Sequence, residues 1–423
     1  MGASTPGRKH GAVTSLQNPD PILPEPTDQS TGDTSASSGA SVGRIVGLDV
    51  ARALAVFGMY TVHIGPPLSA TSGVGSWVRY LADGRSSVLF ATLAGFSLML
   101  IAGRLEPKTG RAGRQAKARI AIRALVLLGL GSVMAMFYGD VVILAAYGVY
   151  FLLALPLVRL RARALALIAL GLALVTPQLA YILRSTLTDS VQQSVNAIDP
   201  LERLSGVGVL DLLLTGMYPA ITWMPFVIAG MALARLDMSI DAVRKRLAAL
   251  GVVLTVLGYG LSRLLAGGDA LKSMAESGAS SGMDVAPKFD KGLEPVGAQS
   301  DPGALLLAGP HSGTTFDIIG SLGVATLVIV TAVAVVQSCG WLRRLAVPLI
   351  AVGSMSLTCY VGHFVLQSAL GMQAGPLDQA SWVPLLWFVA GAALFATLWS
   401  RIFRRGPLEQ LLYLATKPAQ YIR

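Results

Sequence analysis

Long apolar segments separated by short polar breaks run through most of the chain. About ten of them are long enough to cross a membrane as helices of about 20 residues. Their approximate limits are 45–64, 85–103, 120–138, 141–158, 164–183, 212–234, 247–266, 316–338, 345–370 and 383–403. Pro219 and Pro225 interrupt the sixth, so its first part is expected to form a separate interfacial or re-entrant piece. The pattern predicts an all-α integral membrane protein with about ten transmembrane helices.

The regions outside these segments define the domain organisation. Residues 1–43 are rich in Ser, Thr, Pro, Gly and Asp and contain few large apolar side chains, which predicts a disordered cytoplasmic tail. Residues 44–405 are expected to form one polytopic membrane domain, in which 267–315 is a long outer loop. Residues 406–423 complete the chain as a cytoplasmic C-terminal segment.

Basic residues are concentrated in alternate breaks between the apolar segments. They follow the second, fourth, sixth and eighth segments and recur in the tail: Arg104, Lys108, Arg111, Arg114, Lys117 and Arg119; Arg159, Arg161 and Arg163; Arg235, Arg244, Lys245 and Arg246; Arg343 and Arg344; Arg404, Arg405, Lys417 and Arg423. Loops rich in Lys and Arg remain on the cytoplasmic side of a membrane. This alternation predicts that both termini are cytoplasmic.

The composition agrees with a membrane protein and excludes several other classes. The chain has 423 residues, of which 53% are hydrophobic and 13% charged, with a mean hydropathy of +0.62. The net charge of +10 comes largely from the short basic loops, so we expect the lipid bilayer and no nucleic acid as a partner. Cys339 and Cys359 lie in or beside apolar segments and provide no disulfide framework or four-ligand metal site.

The first apolar segment contains three ionisable residues, Asp49, Arg52 and His63. Such residues are costly in hydrocarbon and indicate a functional site by default. Asp49 and Arg52 are three residues apart and can form an ion pair on one helical face. His63 follows on the same face roughly 16 Å further along the helix. The segment therefore predicts a structural pair near the inner end and a candidate base near the outer end.

Two further histidines are placed toward the same outer side. His363 follows the small and polar residues of the ninth segment, which also provides Ser356 and Tyr360 as candidate substrate-binding residues. His311 lies just before the eighth segment, and Tyr218 and Thr222 in the broken sixth segment could line the same cavity. We therefore expect His63, His363 and His311 to be the candidate catalytic residues.

Four short motifs resemble those of one membrane protein family. The sequence contains, in order, LDVARALAVFGM at 48–59, GRSSVLFATLAGFS at 84–97, SLTCY at 356–360 and GPLE at 406–409. They resemble motifs of YeiB-like membrane proteins and of the catalytic domain of heparan-alpha-glucosaminide N-acetyltransferase. Ala53 stands where the first motif usually has glycine. The loop 65–84 contains no histidine, whereas the family's proposed catalytic histidine lies in the corresponding loop.

The resemblance implies a transmembrane acyltransferase of ten or eleven helices. It would move an acyl group from cytosolic acetyl-CoA or another acyl-CoA to a cell-envelope glycan or lipid, in the plasma membrane of a bacterium. The basic loop 104–119 could hold the donor's phosphates, although the topology rule explains the same residues without a ligand.

Two other functions remain open. In a transporter or flippase, the same polar face would form a proton or substrate path, and in an envelope scaffold it would be purely structural. A second copy of the chain, forming a homodimer, is a further candidate partner.

The predicted orientation can be tested by labelling intact cells. A cysteine introduced near Ser281 should react with an impermeant maleimide, because the loop 267–315 is expected outside. A cysteine introduced near Gly113 should not react. The reverse result would contradict the orientation and the assignment of an outer side to the histidines.

Overall fold

The computed structural model describes residues 45–266, 302–338, 340–372 and 381–422. Within these ranges all regular secondary structure is helical. The sixteen α-helices are numbered in chain order: α1 Val46–Ile64, α2 Val74–Ala82, α3 Arg85–Ala102, α4 Gly110–Tyr138, α5 Leu144–Ala154, α6 Ala162–Thr186, α7 Asp189–Ile198, α8 Pro200–Ser205, α9 Ala220–Ala234, α10 Asp241–Ala266, α11 Thr315–Ser338, α12 Gly340–Leu345, α13 Val347–Ser354, α14 Ser356–Ala369, α15 Val383–Ile402 and α16 Pro407–Ala415. The predicted tail 1–43 and most of the predicted loop 267–315 lie outside the described residues.

The described helices confirm an all-α, multi-pass membrane architecture. Six helical stretches are long and apolar enough to cross a membrane, and a bent pair raises the number to seven. Two apolar helical stretches, Leu144–Arg159 and Ala220–Ala234, are shorter. α1 is not among the six, because Asp49, Arg52 and His63 lower its hydropathy. The number of ten spans therefore stays a prediction.

Two of the predicted spans are interrupted. In the sixth, a five-residue π-helical turn, Asp211–Thr215, comes before Pro219, and α9 begins directly after that proline, as Pro219 indicated. Pro225, which was also expected to interrupt the span, lies inside the continuous helix α9. The ninth, predicted as one helix over 345–370, consists of α13 and α14, which meet at an angle of 84° near Met355. At this second break, the side chain of Glu409 accepts hydrogen bonds from the first N–H groups of α14.

The basic loops lie together at one end of the bundle, which we call the basic end. Arg235, after α9, donates to the carbonyl oxygens of Gly103 and Arg104 in the loop after α3. Gln115 at the start of α4 donates to the carbonyl of Gln420 at 2.9 Å, which places the C-terminal segment there too. Which side of a membrane this end faces stays a prediction.

α1 lies in the interior and packs against α3, α11 and α13 through small residues. Ala51, Ala53 and Ala55 are fully buried. The backbone of α13 approaches so closely that a Cβ added at Gly353 would overlap the carbonyl group of Asp49. Such close contact is typical of membrane helices, where packing rather than water drives association.

Gly353→Ala should therefore destabilise the contact between α1 and α13. Overpacking of this kind costs about 1–3 kcal/mol, which a lower melting temperature of the purified protein would report. Gly362→Ala in α14 is the matched control, because no atom lies within 4 Å of the added methyl position. Equal melting temperatures for the two variants would contradict the tight packing.

Candidate active site

His63 of α1 and His363 of α14 contact each other in the interior of the bundle. The distance from His63 Nδ1 to His363 Nε2 is 2.9 Å, and both side chains are buried. The two rings are nearly parallel, with centroids 5.1 Å apart. Two residues 300 positions apart in the sequence thus form one hydrogen-bonded pair.

The hydrogen-bond partners determine which nitrogen carries each proton. His363 Nδ1 contacts the carbonyl oxygen of Tyr360, which can only accept, so His363 Nδ1 is the donor. A neutral His363 then has an accepting Nε2, and His63 must donate to it from Nδ1. The second nitrogen of His63, Nε2, makes no hydrogen bond with a described residue. This arrangement, here called the histidine relay, leaves His63 Nε2 with a lone pair that can accept a proton.

Neighbouring side chains fix the backbone on both sides of the histidine relay. Arg79 of α2 is buried and donates to the carbonyl oxygens of Thr61 and Val62, at 2.7 and 2.8 Å, where α1 ends. Tyr60 donates to the carbonyl of Cys359 at 2.7 Å and so joins α1 to α14. These bonds restrict the rotation and sliding of the two helices that carry the histidines.

His311 lies outside the histidine relay, in an aromatic corner. Its ring lies nearly parallel to Trp223, with centroids 5.9 Å apart, and is edge-on to Tyr218 at 5.5 Å. His311 has φ of 60°, the one positive value among the described non-glycine residues, and such a conformation costs roughly 1–3 kcal/mol. Its Nδ1 and the Oγ1 of Thr222 are buried without a hydrogen-bond partner among the described residues. Both atoms lack the partner that buried polar groups nearly always have.

The other end of α1 contains an ion pair. Arg52 Nη1 is 2.7 Å from Asp49 Oδ1, and Arg52 Nη2 donates to Ser97 of α3 at 2.8 Å. The side chain of Asp49 is 5% exposed and that of Arg52 is 19% exposed. The pair joins α1 to α3 beside the basic end.

A cavity of about 440 Å³ opens at the basic end, and we call it the basic cavity. Its charged lining residues are Lys108, Arg119, Arg123, Arg405 and Glu409. Ser354 at the end of α13 also lines it. Arg123 is half-buried and makes no hydrogen bond or ion pair with any other described residue. Cations in this arrangement favour an anionic ligand.

The predicted site residues thus separate into three groups. His63, His363 and Tyr360 come together, Tyr218 and Thr222 accompany His311, and Asp49 with Arg52 lies at the far end of α1. Ser356 begins α14, two helical turns before His363, and does not contact the histidine relay.

Sequence reasoning missed Arg79 and Glu409. Arg79 is the one cation in a short, largely apolar helix, and this pattern could have indicated a functional residue. Glu409 belongs to the GPLE motif, which could have indicated it in the same way.

Comparison with known families decides the relationship. The model of the heparan-alpha-glucosaminide N-acetyltransferase catalytic domain matches residues 44–260, just over half of the chain. The chain belongs to this family. A second family model, described as a protein of unknown function (DUF418), matches residues 302–417. No curated protein matches the chain.

Membership in the heparan-alpha-glucosaminide N-acetyltransferase catalytic family makes this a multi-pass membrane protein with an acyltransferase-like domain. Each of the two matched regions contains part of the candidate site. His63, Asp49 and Arg52 lie in the acetyltransferase-like region, and His363, His311 and Glu409 lie in the region matched by DUF418. The histidine relay therefore takes one histidine from each region.

The ion pair yields a prediction about stability. Arg52→Ala should remove the guanidinium that contacts the buried Asp49 carboxylate, at a cost of up to about 3–5 kcal/mol, reduced by the partial exposure of Arg52. Asp49→Asn combined with Arg52→Gln should recover much of the melting temperature, because no charge is then buried. A melting temperature unchanged in the single variant would show that the contact with Arg52 does not stabilise the buried carboxylate.

Proposed function

We propose that the protein is an acyltransferase that uses acetyl-CoA or another acyl-CoA from the cytosol. The acceptor would be a hydroxyl or amine of a cell-envelope glycan or lipid. The observation that carries this proposal is the histidine relay with its available Nε2, in a chain that belongs to an acetyltransferase family. The proposal places the protein in the plasma membrane with the basic end in the cytosol, as the distribution of Lys and Arg predicts.

The basic cavity is the proposed site for the donor. Coenzyme A carries several phosphate groups, and Arg119, Arg123 and Arg405 provide cations that can bind them bidentately. Ser354, which lines the cavity, ends α13 just before α14 begins. Along α14 the rise from Ser356 to His363 is about 10 Å. The flexible arm of the donor would extend over this distance toward the histidine relay.

In the proposed reaction His63 acts as the general base. His63 Nε2 takes the proton from the acceptor's hydroxyl or amine, whose oxygen or nitrogen attacks the thioester carbonyl carbon. The carbon–sulfur bond then breaks, and the leaving thiolate takes the proton back from His63. The products are the acylated acceptor and free coenzyme A. His363 orients His63 through the 2.9 Å hydrogen bond, much as a third group orients the base in a catalytic triad.

The aromatic corner is the proposed entrance for the acceptor. Tyr218 and Trp223 provide ring faces, and His311 Nδ1 and Thr222 Oγ1 are buried polar atoms that need a partner. A hydroxyl-bearing acceptor would satisfy them, since buried polar groups are nearly always hydrogen-bonded.

A transporter or flippase is the second candidate, favoured by the 84° break between α13 and α14. Broken helices near the centre of the membrane are common at the substrate sites of transporters. In that case the histidine relay would conduct protons and no thioester would be consumed.

The test is acyl transfer by the purified protein in lipid nanodiscs, with acetyl-CoA and a panel of glycan and lipid acceptors. His63→Ala should lower transfer by about 10²–10⁴-fold, the usual contribution of a general base. Its affinity for coenzyme A should stay within a few-fold, because the donor binds at the other end of α1. Arg123→Gln should instead weaken that affinity by roughly tenfold or more, as expected for a lost charge-assisted hydrogen bond.

Lys245→Gln is the matched control for Arg123→Gln, because Lys245 is an exposed cation that does not line the basic cavity. Transfer that survives His63→Ala would remove the histidine relay from the mechanism. A wild-type protein that binds no coenzyme A but takes up a solute in a pH-dependent manner would favour the transporter.

A further inference from the structure

Two motifs that lie about fifty residues apart in the sequence meet at the start of α14. Glu409 of GPLE accepts hydrogen bonds from Leu357 N at 2.9 Å and from Thr358 N at 3.2 Å. It also accepts one from the Thr358 hydroxyl, at 2.6 Å. The Thr358 oxygen in turn accepts from Leu408 N at 3.1 Å. We call this set of bonds the Glu409 latch.

The Glu409 latch supplies the hydrogen-bond acceptors that the break before α14 removes. The first N–H groups of a helix have no partner within the helix, and the positive end of the helix dipole lies there. Because α13 turns away by 84°, residues before Met355 cannot satisfy these groups. A carboxylate from α16 does so and ties the start of α14 to the C-terminal segment.

The position of α14 sets the geometry of the histidine relay. His363 follows Thr358 by five residues on the same helix, which is a rise of about 7–8 Å. Two carbonyl oxygens in the first turns of α14 help to hold this geometry. That of Cys359 accepts a hydrogen bond from Tyr60, and that of Tyr360 accepts one from His363. A shift of the helix start would lengthen the 2.9 Å contact between His63 and His363.

Glu409 also faces the basic cavity. It interacts electrostatically with Arg123 but forms no ion pair within 4 Å with a described residue. Its carboxylate is thus held by α14, while Arg119, Arg123 and Arg405 line the same cavity and attract it electrostatically. An anion in the cavity would neutralise this attraction and repel the carboxylate toward α14.

We propose that Glu409 is a positioning residue that couples occupancy of the basic cavity to the placement of His363. An anion bound there strengthens the Glu409 latch and holds α14 in the position that brings His363 against His63. By thermodynamic linkage, an intact latch also strengthens binding of the anion. The inference rests on the proposed function only in taking the basic cavity as a donor site and the histidine relay as the catalytic base.

The chain contains its own reporter for this coupling. Cys359 directly follows Thr358 and is 5% exposed, and the chain has one other cysteine, Cys339. In a Cys339→Ser background, the rate at which N-ethylmaleimide labels Cys359 measures how often the start of α14 opens. Mass spectrometry of the protein in nanodiscs reads this rate. The probe is adenosine 3′,5′-bisphosphate, which carries phosphates but no thiol, and its affinity is measured separately by calorimetry.

Glu409→Gln should raise the labelling rate roughly tenfold, since losing charge-assisted bonds shifts an opening equilibrium by at least that factor. The probe should slow labelling of the wild-type background several-fold and have little effect on Glu409→Gln. Thr358→Val keeps the carboxylate and loses only the hydroxyl, and it should give a smaller rise. This variant decides the question if Glu409→Gln does not fold. Glu106→Gln is the matched control, because Glu106 is an exposed acid at the same end that does not line the cavity.

The outcomes separate this inference from the proposed function. Failure of the wild-type protein to bind the probe would overturn both the donor site and the coupling. A probe that binds but leaves Cys359 labelling unchanged would overturn the coupling alone. Labelling of Glu409→Gln and Thr358→Val at the wild-type rate would show that Glu409 does not position α14. If labelling rises in the variants but the probe does not slow labelling of the wild-type background, the latch is purely structural and the coupling is overturned.

Discussion

In the interior of a bilayer, a polar group without a hydrogen-bond partner costs several kcal/mol, and α1 places three ionisable side chains in that environment. Each of the three forms a hydrogen bond or ion pair, either with a residue on the same face of α1 or with a residue of another helix. Asp49 binds Arg52, Arg52 binds Ser97, and His63 binds His363. The contacts of α1 with α3 and α14 follow from this requirement. The polar groups therefore join α1 to α3 and α14, and small residues such as Gly353 allow the close approach of α13.

The sequence predicted those features that depend on local pattern. Apolar segments gave the helices and their approximate limits, because a membrane helix must satisfy its backbone internally. Pro219 correctly indicated the start of α9, since proline has no N–H to donate. The spacing of Asp49 and Arg52 indicated their pairing, because residues three apart share a helical face.

Features that depend on distant contacts could not be predicted in this way. The break at Met355 has no proline, and the residue that compensates it, Glu409, comes from beyond the next span and satisfies the start of α14. The contact between His63 and His363 joins segments 300 residues apart, so periodicity within either helix contains no information about it. The motifs SLTCY and GPLE can each be recognised in the sequence, but only the structure shows that they contact each other.

The shortness of α9 has an electrical consequence. Its 15 residues rise about 22 Å, less than the roughly 30 Å of hydrocarbon in a bilayer, and nearly all of them are buried among other helices. Wherever water reaches both ends of a helix this short, a transmembrane voltage falls over a path shorter than the surrounding lipid, at about 2.3 kcal/mol per elementary charge for each 100 mV. Any proton or charged group that moves along that path is consequently driven or opposed by the membrane potential of the cell.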